Sequence, residues 1–240
     1  MITVSIINHN HKEYINNLIS TLLNFSEISK IIITNNSGED LELEVSQKIF
    51  IISNEKKKGF GLNHNNAFCF CDTKFFCVMN PDIILKSNPF PTLLEELDNN
   101  TGVVAPLVKN KDLIIEDTAR NFPTLTSLIK KLIVGISDKD FRLESNLIKF
   151  NPEWIAGMFL LFTKHNFNKV NGFDTNFFLY YEDVDISRRL RKLGLLPKLV
   201  LTAEIIHDAQ RSSHKNFKFM IFHARSILIY FLKCIQRKYN

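Results

Sequence analysis

Short apolar runs alternate with amphipathic segments along the first hundred residues. Five runs rich in Ile, Val and Phe are bounded by polar turns, which is typical of β-strands. They lie at residues 2–7, 30–34, 48–53, 74–79 and 102–108. Three segments between them have the pattern of helices. They are residues 11–25, 61–70 and 90–100. This alternation predicts an α/β fold with a mostly parallel central sheet flanked by helices.

The second half of the chain has a less regular pattern. A helix is predicted near residues 124–135, and the apolar run "EWIAGMFLLF" at 153–162 predicts one continuous strand. Residues 182–193 combine an apolar stripe with charged positions, so they predict a helix that ends before Gly194.

The C-terminal tail differs from the rest in charge. Seven of the 30 cations and none of the 25 acids lie in residues 211–240. Within them, "FKFMIFHARSILIYFLKCI" at 217–235 mixes large apolar side chains with cations, as an amphipathic helix does. We therefore expect a main domain over 1–210 and a basic helical tail. Two alternatives stay open for that tail, which either packs on the domain or lies at a membrane surface.

Composition and charge narrow the classes of protein. The apolar fraction of 45% is ample for a core and excludes a disordered chain. The net charge of +5 comes from the tail, since the other residues are close to neutral. A nucleic acid bound across the whole surface is not expected, whereas an anionic membrane surface or a phosphate group near the tail is.

The cysteines and the hydropathy pattern indicate the compartment. The four cysteines form no C-x-x-C pair, so neither a zinc site nor a disulfide framework is predicted. The start, "MITVSIINHN", lacks the basic and apolar regions of a signal peptide. No uncharged apolar run reaches the roughly 18 residues that span a bilayer. These features predict a cytoplasmic protein.

Polar turns follow four of the predicted strands. They are "NHN" at 8–10, "TNNS" at 34–37, "NEKKKGFG" at 54–61 and "NPD" at 80–82. Turns alone supply some Asn, Asp and Gly at such places. Because ligands of open α/β sheets bind beyond the carboxyl ends of the strands, four such turns together predict a ligand crevice.

One carboxylate in these turns suits a metal ion. Asp82 follows a buried strand directly, and Pro81 fixes the turn before it. A hard divalent cation on a diphosphate needs only one or two protein carboxylates, since phosphate and water fill the other positions. An ordinary Asx turn is the alternative for Asp82.

The stretch "FFLYYEDVDISRRLRKLG" at 177–194 concentrates three acids beside aromatic side chains. Acids at the start of a helix and cations at its end complement the helix dipole, which accounts for Asp185 and the arginines. It does not explain why Glu182 and Asp183 adjoin apolar rings. A carboxylate that is partly desolvated is more basic and suits proton abstraction.

Four motifs together carry a resemblance to a known family. "NPD", "WIAGMFLLF", "VNGFDTNFFLYYEDVDISRRLRKLG" and "IIHDAQRSSHK" occur in the order and spacing of family-2 glycosyltransferases with the GT-A fold. That fold is a Rossmann-like nucleotide-diphospho-sugar transferase fold. Within the family, the chain most resembles the bacterial rhamnosyltransferases of O-antigen and other surface polysaccharide synthesis. The likeness covers nearly the whole chain.

The resemblance implies roles for individual residues. Nine residues correspond to the nucleotide-sugar site: Asn8, His9, Asn10, Thr34, Asn35, Gly59, Asn65, Asn80 and Asp82. Asp82 and His207 correspond to positions that hold Mg²⁺ or Mn²⁺. Asp183 matches the catalytic base, with Glu182 beside it. The acceptor and sugar pocket would include Trp154, Gly157 and Tyr181, although core packing explains the aromatic rings of 177–181 equally well.

Two positions depart from the family pattern. Thr34 stands where many relatives have an aspartate that contacts the base of the nucleotide. Asn80 replaces an acid of the metal motif, so the metal site is less anionic than in those relatives. The Thr34 hydroxyl can still hydrogen-bond a pyrimidine base, and the less anionic site predicts a weaker metal affinity when no donor is present.

The implied activity is an inverting, metal-dependent transfer of L-rhamnose from dTDP-rhamnose to an undecaprenyl-diphosphate-linked GlcNAc. The enzyme would act at the inner face of the cytoplasmic membrane, with no nucleic-acid partner. Transfer of another sugar from a UDP, GDP or dTDP donor is one alternative. A non-catalytic protein that keeps the fold and binds a nucleotide or a membrane is the other.

Overall fold

The structure is a computed structural model that describes residues 1–134, 148–208, 217–236 and 239. Its strands are β1 (Ile2–Asn8), β2 (Ile28–Asn35), β3 (Ile49–Ser53), β4 (Phe75–Met79), β5 (Ile83–Ile84), β6 (Thr101–Lys109), β7 (Ala119–Arg120), β8 (Lys149–Phe150), β9 (Trp154–Ile155), β10 (Phe159–Thr163) and β11 (Leu196–His207). Its helices are α1 (Lys12–Leu23), α2 (Phe60–Phe68), α3 (Phe90–Glu95), α4 (Leu125–Val134), α5 (Lys164–Lys169), α6 (Glu182–Lys192) and α7 (Phe217–Ile235).

The central sheet is mixed and mostly parallel. Its order is β3-β2-β1-β4-β10-β6-β11-β5, and β8 pairs with β11 outside this path. Strands β3, β2, β1 and β4 are adjacent and parallel, and β6 and β11 are parallel to each other. Strand β10 runs antiparallel between β4 and β6. A separate ribbon of β7 and β9 lies outside this sheet.

Apolar clusters cover both faces of the sheet. One contains the buried face of α1, with Ile15, Leu18 and Leu22 packed on the strands. The second contains rings from α2 and α5 together with Ile186 and Leu190 of α6. The central strands are buried on both faces, since Ile31, Ile32 and Ile33 are all inaccessible. The predicted α/β architecture is therefore confirmed.

A third apolar cluster joins the segment before α6 and the start of α6 to α7. It contains Phe177, Tyr181 and Val184 together with Tyr230 and Tyr239. The predicted helix at 217–235 is present as α7. The predicted division at residue 210 falls in 209–216, outside the described residues, so this boundary stays a prediction. None of the described helices is both long enough and apolar enough to cross a bilayer.

One expectation about a strand was wrong, and one long strand was not predicted. The apolar run 153–162 is two strands, because Gly157 and Met158 leave the ladder and hydrogen-bond elsewhere through Gly157 N and Met158 O. The twelve-residue strand β11 was not predicted, since Pro197 near its start and Glu204 within it mask its apolar character. The helix α3 ends at Glu95, earlier than its sequence pattern indicates.

Candidate active site

The carboxyl ends of β3, β2, β1 and β4 meet at one edge of the sheet because these strands are parallel neighbours. Asn8 and Asn35 face each other in register at this edge. The Asn8 Nδ2 group lies 3.3 Å from Asn35 Oδ1, 3.2 Å from Ser37 Oγ and 3.0 Å from Glu39 Oε2. The turns after β1 and β2 are thus tied together, as a nucleotide crevice requires.

A second asparagine network holds the loop between β3 and α2. Asn36 accepts hydrogen bonds from Asn54 Nδ2 at 2.9 Å and from the Lys58 amide at 2.8 Å. Asn54 Nδ2 also donates to Asn63 Oδ1 at 2.7 Å. Sequence reasoning found the polar turns that contain Asn36 and Asn54 but assigned these two residues no individual role. Their pairing depends on the fold and has no sequence signal.

The structure brings some of the predicted nucleotide residues to this edge and not others. His9 and Asn10 are exposed after β1, with Asn10 in the left-handed region at φ 66°. Thr34 is fully buried, and its Oγ1 has no hydrogen-bond partner among the described residues. The Asn65 side chain is hydrogen-bonded to the backbone of Phe173: its Nδ2 donates to Phe173 O at 2.8 Å, and its Oδ1 accepts from Phe173 N at 2.9 Å. Thr34 is therefore buried at the carboxyl end of β2 and the Asn65 side chain is engaged by Phe173, so the nucleotide roles of both residues stay predictions.

Gly59 connects this loop to the segment that carries the predicted base. A Cβ atom at Gly59 would lie 2.5 Å from the carbonyl oxygen of Phe178, which no real contact tolerates. The next amide, that of Phe60, donates to the same oxygen at 2.9 Å. Only glycine permits this close approach of α2 to residue 178.

Asp82 and His207, the two residues predicted to hold a metal ion, lie close together at the same edge. The Asp82 Oδ1 atom is buried and accepts no hydrogen bond within the described chain. His207 Nε2 lies 3.4 Å from it. No group of three or more His, Cys, Asp or Glu side chains in the described ranges is arranged as a metal site. Asp82 and His207 nevertheless fit a cation whose other ligands come from a diphosphate and water.

Glu116 is a member of this group that the sequence did not indicate. Its Oε2 atom lies 3.0 Å from His207 Nδ1, on the side of the ring away from Asp82. Burial by itself lowers the pKa of His207, but the carboxylates of Asp82 and Glu116 outweigh it and raise that pKa to about 9. The imidazole is therefore held between two acids and oriented by both.

The segment before α6 makes a tight left-handed turn. Tyr180 and Tyr181 have φ values of 69° and 68°, a conformation that is strained for bulky side chains. Helix α6 begins directly after this turn with Glu182 and Asp183. The turn therefore fixes where these two carboxyl groups project.

Asp183 is held by two backbone amides. Its Oδ2 atom accepts from Gly157 N at 3.0 Å and its Oδ1 atom from Val184 N at 2.9 Å. The residue next to Gly157, Met158, accepts from the amide of Asn80 at 2.9 Å. Since Asp82 lies two residues beyond Asn80, this chain of contacts brings the predicted base and the predicted metal ligand to the same edge of the sheet.

The two adjacent acids have different electrostatic environments. Glu182 is buried, and desolvation and then the charge of Asp183 raise its pKa to about 8. Desolvation also raises the pKa of Asp183, but the amides of Val184 and Gly157 and the nearby Arg120 oppose that rise. At neutral pH Glu182 is therefore protonated, whereas the two amides and Arg120 favour the charged form of Asp183.

The ribbon of β7 and β9 covers this site from one side. Trp154 of β9 pairs with Arg120 of β7, whose guanidinium carbon lies 6.0 Å from the indole ring centroid. Arg120 also forms an ion pair with Asp117 at 2.8 Å. Sequence reasoning identified Trp154 and Gly157 but missed Arg120, because an isolated arginine in an irregular stretch carries no motif.

The aromatic residues of 177–181 divide between core and surface. Phe177 and Tyr181 are buried in the third apolar cluster, whereas Phe178 and Tyr180 are partly exposed. Tyr181 therefore serves core packing first. A separate open pocket of about 720 Å³ lies at the opposite edge of the sheet, lined in part by Lys74, Asp98 and Lys164. It contains none of the predicted site residues.

Sequence comparison gives the family. Residues 3–157 match the family model described as glycosyl transferase family 2. The rhamnosyltransferase WbbL of Escherichia coli K12 is 27% identical over 243 residues, which cover 96% of this chain and 92% of that protein. The N-acetylglucosaminyl-diphospho-decaprenol L-rhamnosyltransferase of Mycobacterium tuberculosis CDC 1551 is 29% identical over 150 residues. That match covers 58% of this chain and about half of the longer mycobacterial protein, 48%.

Solved structures with a similar fold agree with the family. GalNAc-T7, crystallised with UDP, GalNAc and Mn²⁺, has a TM-score of 0.66 at 12% identity, covering 88% of this chain and 44% of that chain. The mannosyltransferase PcManGT of Pyrobaculum calidifontis, in complex with GDP-Man and Mn²⁺, has a TM-score of 0.65 at 11% identity. That likeness covers 98% of this chain and 64% of the mannosyltransferase. The chain therefore belongs to glycosyl transferase family 2 and is a glycosyltransferase with the GT-A fold.

Proposed function

We propose that this enzyme transfers L-rhamnose from dTDP-L-rhamnose to a GlcNAc unit on undecaprenyl diphosphate, with inversion at the anomeric carbon. The names of the two relatives support rhamnose as the sugar, and the mycobacterial name supports a lipid-diphosphate-linked GlcNAc as the acceptor. The product would be a precursor of O-antigen or another surface polysaccharide.

The observation that carries this proposal is the hydrogen-bonded path from Asn80 through Met158 and Gly157 to Asp183. It joins the turn that receives a diphosphate to the carboxylate that accepts a proton. The acceptor hydroxyl loses its proton to Asp183 as its oxygen attacks the anomeric carbon, and the bond to the diphosphate breaks. A single base opposite the leaving group means one displacement, hence inversion.

Asp82 would hold the divalent cation of this reaction, Mg²⁺ or Mn²⁺, and His207 Nε2 would join it on giving up the proton that it carries between Asp82 and Glu116. Both solved relatives contain Mn²⁺, and the buried Asp82 oxygen without a hydrogen bond suits a cation. When bound, such a cation neutralises the negative charge that develops on the departing diphosphate. Asn80 adds no charge, so we expect the cation to bind weakly until the donor diphosphate is present.

The donor is tested by a thermal-shift screen of dTDP-, UDP- and GDP-sugars, each with and without Mn²⁺. We expect dTDP-L-rhamnose with Mn²⁺ to raise the melting temperature most, and to support transfer to a synthetic GlcNAc-diphosphate-lipid. Stabilisation and transfer with a UDP- or GDP-sugar in its place would replace the donor and keep the reaction class. Binding of every donor without turnover would contradict the proposal.

Helix α7 supports a site of action at the inner face of the cytoplasmic membrane. Its exposed apolar side chains recur at helical spacing and therefore share one face. They are Phe217, Met220, Ile221, Leu228, Leu232 and Ile235. The exposed cations Lys218 and Arg225 flank this face, which suits an anionic bilayer surface. Such a position would bring the enzyme to a lipid-linked acceptor.

Membrane binding is tested by sedimentation with vesicles that contain anionic phospholipid. We expect the wild type to sediment with them and the double variant Ile221→Glu and Leu228→Glu to stay in solution. Val45→Glu is the matched control, since Val45 is a fully exposed apolar residue outside α7. Equal sedimentation of all three proteins would contradict the role of this face.

A further inference from the structure

The face of α7 that packs on the domain contacts residues 174–185, the segment that carries the predicted base Asp183. Lys233 of α7 forms an ion pair with Asp174 at 2.7 Å and a second, shorter one with Asp185. Asp174 precedes the strained tyrosine turn and Asp185 follows it in the first turn of α6. The ammonium group of Lys233 therefore forms ion pairs with both ends of the segment 174–185.

Further contacts from the C-terminal region hold the same segment. Ser226 Oγ donates to the carbonyl of Leu179 at 2.8 Å, directly before the two left-handed tyrosines. Tyr239 donates to Asp185 Oδ1 at 2.5 Å. Arg188 of α6 donates to the hydroxyl of Tyr230 on α7 at 2.5 Å. The segment is thus held at its start, its middle and its end.

Asp185 is the centre of these contacts. Its side chain is fully buried, and it accepts from Arg189 Nε at 2.7 Å in addition to Lys233 and Tyr239. A buried carboxylate persists only when it is paired and hydrogen-bonded. Asp185 lies two residues after Asp183 on the same helical turn, so its position and that of the base change together.

Strain in this segment makes such anchoring necessary. Two consecutive bulky residues with positive φ cost free energy and persist only where the surroundings over-determine the backbone. The contacts of Lys233, Ser226 and Tyr239 supply that constraint. We expect that without them the turn relaxes and the Asp183 carboxylate moves away from Gly157 N.

We propose that Lys233 is a positioning residue: by bridging Asp174 and Asp185 it holds the turn at Tyr180–Tyr181 and thereby sets the location of Asp183. Lys233 does not touch the reacting groups and acts through this segment. The C-terminal helix is then part of the catalytic apparatus. The kinetic part of this inference rests on the proposed function, whereas its structural part does not.

The test compares Lys233→Met with Lys192→Met, which removes an exposed cation from the last turn of α6 itself. For Lys233→Met we expect kcat to fall about 10- to 100-fold while the dissociation constant for the donor stays within about twofold, since a misplaced base slows the chemical step. Lys233→Arg should recover part of the rate because it keeps a cation between the two acids. Lys192→Met should match the wild type.

A second measurement needs no substrate. Amide hydrogen exchange in residues 177–184 should be faster in Lys233→Met than in the wild type and unchanged in Lys192→Met. If Lys233→Met does not fold, Ser226→Ala replaces it, and faster exchange with a smaller loss of kcat is expected. Failure of rhamnosyl transfer by the wild type refutes the proposed function and leaves this exchange test intact. A folded Lys233→Met with unchanged exchange and unchanged kcat overturns the inference.

Discussion

Glu182 and Asp183 are adjacent acids that have different surroundings. Asp183 accepts two backbone amides, at 3.0 and 2.9 Å, which favour its charged form. Glu182 Oε2 is buried and has no hydrogen-bond partner among the described side chains and backbone groups. Glu182 therefore holds a proton at neutral pH, and the hydrogen bonds to Asp183 favour its charged form, which suits the proposed role of Asp183 as a base.

Removal of the base should separate chemistry from binding. For Asp183→Asn we expect kcat to fall at least about 100-fold, the usual contribution of a general base. The amide keeps the contact to Gly157 geometrically similar, so donor affinity by isothermal titration should stay near that of the wild type. Turnover at the normal rate would remove Asp183 from the mechanism.

The buried Glu182 should make the protein less stable at alkaline pH. Its pKa is about 8 in the folded protein against an ordinary value of 4.5, so the folded state retains a proton that the unfolded state has lost. The free energy of unfolding therefore falls as pH rises from about 4.5 to 8.

The glutamine in the variant Glu182→Gln does not titrate, so its folding is not coupled to a proton at this position. We expect it to exceed the wild type in unfolding free energy at pH 8 by up to about 5 kcal/mol, with the difference shrinking toward pH 5. Urea denaturation at both pH values measures this, with the exposed Glu95→Gln as control. A difference that does not change with pH would contradict a protonated Glu182.

Contacts between elements assemble the site. The N-terminus of α2 lies against Phe178, and Gly157 between β9 and β10 lies against Asp183. The absence of a side chain at Gly59 permits the close approach to Phe178, whereas a Cβ atom at Gly157 would lie 3.5 Å from Asp183 Cβ, an ordinary contact. The loop before α2, the segment that ends at Asp183 and the turn at 80–82 are therefore linked by these contacts and by the hydrogen bond from Asn80 N to Met158 O, although they lie far apart in the chain.

Gly59→Ala tests the contact between α2 and the base segment. A Cβ atom would lie 2.5 Å from the Phe178 oxygen, so one backbone must shift. We expect a loss of about 1–3 kcal/mol in unfolding free energy, as for other overpacked sites, together with a lower kcat. Cys69→Ala, exposed beyond the other end of α2, is the control. An unaffected kcat in Gly59→Ala would show that this contact does not position the base.

The local pattern of apolar and polar residues predicts most elements of this protein, because that pattern is simple in the first four strands and in α1. Strands β1 to β4 are continuous apolar runs, and each is followed by a polar turn at the ligand edge. The break at Gly157 is invisible to such reasoning, because it depends on partners at residues 80 and 183. The roles of Glu116, Arg120 and Lys233 were not predicted for the same reason. Each of these residues contacts a partner that is distant in the sequence.

The whole molecule encloses a neutral histidine in its core. His64 is inaccessible, and its Nδ1 atom lies 2.8 Å from Ser5 Oγ, with Phe60 and Phe173 packed around the ring. Burial lowers the pKa of His64 from 6.5 to about 3. In the folded protein His64 therefore stays neutral at pH values below 6.5 at which the same side chain is protonated in the unfolded chain.

This histidine should weaken the fold in acid. Stability that is complete above pH 6.5 is lost as the pH falls toward 3, and the loss at pH 5 is about 2 kcal/mol. His64→Gln should lose less than the wild type between pH 7 and 5, whereas the exposed His165→Gln should match the wild type. Equal acid losses in all three proteins, measured by urea unfolding, would show that His64 titrates normally.

At the scale of the complete enzyme, the account depends on Asp82 and Asp183 flanking one donor sugar. The most direct measurement is a crystal structure of the inactive Asp183→Asn variant with dTDP-L-rhamnose and Mn²⁺, the metal located by anomalous scattering. We expect the manganese on Asp82 and the diphosphate, and the side chain at position 183 on the face of the rhamnose opposite the diphosphate. A donor bound away from this edge, or a metal that does not contact Asp82, would contradict the account.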